Sequence, residues 1–132
     1  MLDGNRAYYV SLSYDEGRLF DMWSVVHVLT GVIVGFSSNL LGFGYIFSYV
    51  GTFLGMTIFE IVEESLDIQE TIENKVLDVF YGMLGFALVY EVFLPHMQVG
   101  DKALWAAVST VLGVIGALLG WRASRKRAAT AA

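Results

Sequence analysis

Four apolar stretches, Met22 to Leu41, Phe43 to Val62, Val76 to Leu94 and Ala103 to Trp121, constrain this chain more than any other feature. Each is close to the roughly 20 residues that carry a helix across a 30 Å hydrocarbon core. Together they fill most of the 132 residues, which leaves room for one domain. At 56% hydrophobic residues, the chain holds more apolar surface than a soluble domain of this size can bury, so a soluble bundle is the disfavoured alternative. Lipid offers the backbone no hydrogen-bond partners, so the spans must be helical. The expected fold class is all-α: a polytopic membrane protein, a four-transmembrane-helix bundle with both termini inside (N-in/C-in). One domain covers 1–132, with helices at about 22–41, 43–64, 76–95 and 103–121, a short N-terminal interfacial segment and a basic, frayed C-terminal tail.

Orientation follows from the cations beside the spans. Arg6, Arg18, Lys75, Arg122, Arg125, Lys126 and Arg127 lie on one side, and Lys102 alone lies on the other. Both termini are then expected in the cytoplasm, with the chain integral to the cytoplasmic (inner) membrane. The first twenty residues lack a basic region leading into the apolar run and a small-residue cleavage site, so no signal peptide is expected. Without cysteine there are no disulfides or thiolate metal sites. Most of the net charge of −5 comes from one acidic cluster, and nothing in the pattern supports nucleic-acid binding.

That cluster runs from Glu60 to Asp78 and holds seven of the thirteen acidic residues, with Lys75 its only cation. Glu60, Glu63, Glu64 and Asp67 fall within an arc of about 100° on a helix and form one ridge. Asp67, Glu70 and Glu73 read as a solvated loop, and Glu91 as a snorkelling group near the opposite surface. Glu60 and Asp78 differ, because both lie inside segments that otherwise read as membrane helices. An ionisable group in hydrocarbon costs roughly 2.5–3.5 kcal/mol on insertion scales, and such groups are kept for a function or a partner.

The four-residue spacings Gly31/Gly35, Gly51/Gly55 and Gly116/Gly120 read as faces on which helix backbones approach closely. In helix 1, Ser24, His27, Thr30 and Gly31 share a face, and Trp23 is expected at headgroup level. The orientation puts His27 about four residues below the cytoplasmic end of helix 1, roughly 6 Å. Glu60 and Asp78 come to a similar depth on helices 2 and 3. Two chemistries use such a set. A hard divalent cation takes carboxylate oxygens and an imidazole, with His27, Glu60, Glu63, Glu64 and Asp78 as the candidate ligands. Alternatively, His27, Glu60 and Asp78 act as catalytic acid–base groups.

The series Ser24-x-x-His27-x-x-x-Gly31, then Glu60-x-x-Glu63-Glu64, then Asn74-x-x-x-Asp78 followed by Gly85 and Phe86, resembles the VanZ-like group of small membrane proteins over residues 21–90. Two departures are plain. Asp21 sits six rather than four residues before His27, and Gly82 stands where the group often carries Asn. The resemblance implies an envelope-associated membrane protein, in some members linked to glycopeptide resistance. The expected function is a His/carboxylate pocket in the cytoplasmic leaflet that binds, and processes, an anionic lipid or polyprenyl-phosphate headgroup through a divalent cation. The cation is part of that expectation, since an acidic pocket repels phosphate until a metal inverts its charge. The alternatives are a proton or cation carrier using the same residues, and a non-catalytic accessory subunit of a membrane complex. Expected partners are membrane lipid and a membrane-protein partner or second copy of the chain.

Overall fold

Asp21 starts the first helix, α1 (Met22–Leu40), from an extended backbone conformation. Its carboxylate accepts from the backbone N–H groups of Trp23 and Ser24, and Ser24 Oγ accepts from the Asp21 N–H in return. This reciprocal box satisfies donors that a helix start leaves open. At the other end Gly42 takes a left-handed φ of 76°. There the Phe43 N–H bonds the Ser38 carbonyl and the Gly42 N–H bonds that of Asn39, the paired bonds of a glycine-terminated helix. The structure is a computed structural model that describes residues 10, 12–14, 19–65 and 71–131. The remainder of the expected N-terminal interfacial segment, and Asp67 and Glu70 of the expected loop, lie outside the described residues.

The second helix, α2, is Tyr45–Ser65. The third, α3 (Ile72–Ala87), opens on Thr71, whose side chain accepts from the Asn74 N–H. It therefore starts four residues before the expected 76, and Lys75 belongs to its first turn. It continues as a π-helical turn, Leu88–Phe93, and a 3₁₀ turn, Leu94–His96. Pro95 explains the widening, since it has no N–H to give and its ring crowds the carbonyl four residues back. The fourth helix, α4 (Val99–Ala131), has 33 residues where about 103–121 was expected. Its backbone is helical through the basic tail. Among the described residues there is no strand, only one isolated bridge between Val10 and Phe20. Four helices among the described residues are long and apolar enough to cross a membrane.

α1 and α3 run parallel at the centre, with α2 on the outer side of α3 and α4 on that of α1. The central pair is in backbone contact. A Cβ on Gly31 would strike the Gly82 carbonyl, and one on Gly85 would strike the Val28 carbonyl. Gly116 and Gly120 of α4 face Val26 and Trp23 of α1. Trp23 is buried in this contact, and Tyr14 meets it edge-on. Tyr14 also donates to the Gly116 carbonyl at 2.7 Å. Burial raises its phenol pKa above the ordinary value, which keeps that donor protonated. Among the described residues a Cβ on Gly51 or Gly55 would meet nothing within 4 Å outside its own helix, so no other described helix packs on the expected face of α2 there.

The described interior is as polar as it is apolar. Phe36, Phe86, Val89 and Leu94 are buried, and so are Asp21, Ser24, His27, Asn74 and Asp78. Many large apolar side chains on α2 and α4 face outward. Such a distribution suits a chain whose surroundings are hydrocarbon, where apolar side chains need no shelter and polar ones do.

Candidate metal centre

His27, Glu60 and Asp78 converge, one from each of α1, α2 and α3. Each offers a ligand atom, and the three atoms lie within 4.8 Å of one another. All three residues are buried, with exposures of 2%, 5% and 0%. The close approach of α1 and α3 at Gly31/Gly82 places His27 beside Asp78, and Met56, seated over Gly82, holds α2 against the same spot.

The imidazole is fixed by its own helix. Nδ1 lies 3.2 Å from the Trp23 carbonyl oxygen one turn back. A carbonyl only accepts, so Nδ1 carries a proton, and in the neutral ring the lone pair is then on Nε2. The Phe59 ring packs edge-on against the imidazole at 5.6 Å. Metal-bound histidines are held in the same way, with the free ring N–H given to a carbonyl or carboxylate.

Nε2 lies 3.1 Å from Glu60 Oε1. The separation is that of a hydrogen bond, but the direction is not, because Nε2 has no hydrogen-bond partner of acceptable geometry among the described residues. With metal–ligand bonds of about 2.0–2.2 Å, adjacent ligand atoms at 90–109° sit roughly 2.8–3.6 Å apart, which brackets this distance.

Asp78 is held on both oxygens by neutral donors. Ser24 Oγ gives to Oδ1 at 3.0 Å, and Asn74 Nδ2 gives to Oδ2 at 3.2 Å. Its Oδ2 is also 3.9 Å from His27 Nδ1. Neutral donors stabilise the carboxylate without cancelling its charge, so attraction for a cation is preserved. Among the described residues Asn74 Oδ1 is buried without a hydrogen-bond partner, which makes it a further oxygen available nearby. The site thus has an outer layer in which Ser24 and Asn74 orient Asp78, the Trp23 carbonyl orients His27, and Asp21 braces Ser24.

Of the five ligands expected from sequence, the structure brings these three together. Glu63 and Glu64 belong to the last turn of α2, and their side chains lie outside the described residues. Glu73 is exposed in the first turn of α3. The roles of Asn74 and Ser24 in holding Asp78 were missed as specific contacts. The four-residue spacing of Asn74 and Asp78 was their signal in one case, since it stacks the two on one helix face. Ser24 pairs across two helices, and no local spacing reveals that.

No protein-family model matches the chain, and neither a curated protein nor a solved structure matches it.

Proposed function

We propose that the chain is an integral membrane protein of the cytoplasmic membrane, N-in/C-in, whose His27–Glu60–Asp78 centre takes a divalent cation. Through that cation it binds the anionic headgroup of a lipid or polyprenyl phosphate in the cytoplasmic leaflet. The observation that carries this reading is the convergence of an imidazole nitrogen and two carboxylates within 4.8 Å, all buried among helices apolar enough to span a bilayer. Three protein ligands leave coordination positions open, and an open position is what binds and polarises a phosphoryl oxygen. A mixed nitrogen and oxygen donor set suits Zn²⁺ or Mn²⁺ more than Ca²⁺. Membership of the VanZ-like group belongs to the proposal. The test is equilibrium dialysis of the purified chain against Mn²⁺ or Zn²⁺. Wild type should bind the ion, and the Glu60→Gln/Asp78→Asn double variant should not. Equal metal content in both would end the reading.

A second reading is favoured by one feature: carboxylates flank both ring nitrogens, Glu60 at Nε2 and Asp78 at Nδ1. That arrangement suits a proton passed through the imidazole. Proton flux into liposomes that stops in His27→Gln, with no metal bound to the wild type, would place this reading first.

A further inference from the structure

A groove of about 690 Å³ runs between α2 and α3, a volume in the range of small-ligand sites. Its walls are apolar, with Tyr49, Phe53, Val79 and Met83 among them, and its polar residues include Glu60 and Lys75. The helices are antiparallel, so Tyr49 and Ala87 lie toward one end, and Glu60 and Lys75 toward the other. From Tyr49 to Glu60 is about 16 Å at 1.5 Å per residue. Half of a 30 Å hydrocarbon core is about 15 Å, the depth of one leaflet. The groove is therefore as long as the region that one lipid chain occupies.

We infer that this groove seats one hydrocarbon chain of a membrane phospholipid, with its phosphate at the Glu60/Lys75 end. The inference rests on the cation reading above and adds to it the route and the seat. Glu60 belongs to both structures, as a wall of the groove and as a member of the buried centre. His27 and Asp78 are not among the groove's lining residues, so a lipid entering sideways from the bilayer meets Glu60 before either. Charge selects the occupant. Lys75 lines the groove at this end, where its positive charge adds to that of the bound cation in attracting a phosphate and gives an uncharged headgroup no such gain. Phe53, Ile61, Val76 and Phe80 are all at least 49% exposed, so the groove opens toward the surroundings of α2 and α3.

The test places the full chain in phosphatidylcholine nanodiscs containing a phosphatidic acid with a photoreactive diazirine in its acyl chain. Crosslinked peptides are then mapped by mass spectrometry. Crosslinks should concentrate at Tyr49, Phe53 and Met83, and Met83→Trp, which fills the groove, should remove most of them. Ala87→Phe fills the same groove and serves if Met83→Trp fails to fold. Lys75→Gln should lower the yield about fivefold for the phosphatidic acid and leave that of a diacylglycerol probe unchanged. Crosslinks spread evenly over α4 as well, or undiminished by the filling variants, would overturn the inference. So would crosslinks between two copies through the groove, because the occupant would then be the chain itself. Mn²⁺ binding on the same samples separates the two readings. Localised lipid without Mn²⁺ binding keeps the groove and ends the cation reading. Mn²⁺ binding with unlocalised lipid does the reverse.

Discussion

Asp78 is the residue on which the site turns, because it is fully buried and has a neutral donor on each oxygen. Replacing it by Asn keeps the shape and removes the charge. Asp78→Asn and Glu60→Gln should each lower Mn²⁺ affinity by more than about 100-fold, beyond the 10–100-fold typical of outer-layer changes. Ser24→Ala should sit within that outer range, at about tenfold. The exposed Glu73→Gln should change nothing. Isothermal titration of the four variants checks the order, and an effect at Glu73 equal to that at Asp78 would show nonspecific charge binding. Asp21 supports the same region through the backbone. Asp21→Ala should cost about 1 kcal/mol or more in thermal unfolding, the usual cost of a lost helix cap.

At the scale of the helices, the glycines divide into two groups that sequence spacing could not separate. Gly31/Gly35 and Gly51/Gly55 have the same four-residue pattern, yet Gly31 abuts the backbone of α3 and Gly55 abuts no other helix among the described residues. Spacing shows which residues share a face, but not whether another helix covers it. Gly31→Leu should therefore destabilise the chain by at least the 1–3 kcal/mol typical of overpacking, and it should also lose the cation by parting His27 from Asp78. Gly55→Leu should leave both properties at wild-type values. Thermal unfolding in detergent, followed by circular dichroism, checks this pair. The positions of the spans were legible, because twenty apolar residues admit few other structures. The ends were less so: Thr71 caps α3 through a side-chain bond, and α4 continues through charged residues that have good helix propensity.

For the molecule as a whole, the order α2, α3, α1, α4 lets three helices share one buried centre while α4 braces α1. The convergence of His27, Glu60 and Asp78 could be anticipated from depth alone, since each lies at a similar distance from the same end. Which faces meet could not, because it depends on backbone contact between helices some fifty residues apart in sequence, Gly31 with Gly82. The cation bias makes a further prediction at this scale. Reporters fused after Ala132 and within residues 68–73 should read cytoplasmic, and one at 42–44 should read external. A cytoplasmic reading at 42–44 would invert the proposed leaflet. The central claim, that a cation sits on Nε2 of His27, has a direct spectroscopic test. The chain has two histidines, His27 and the exposed His96. Pulsed electron paramagnetic resonance of the Mn²⁺-loaded protein should show coupling to one imidazole nitrogen, lost in His27→Gln and kept in His96→Gln. No nitrogen coupling, or coupling that survives in His27→Gln, would contradict the account.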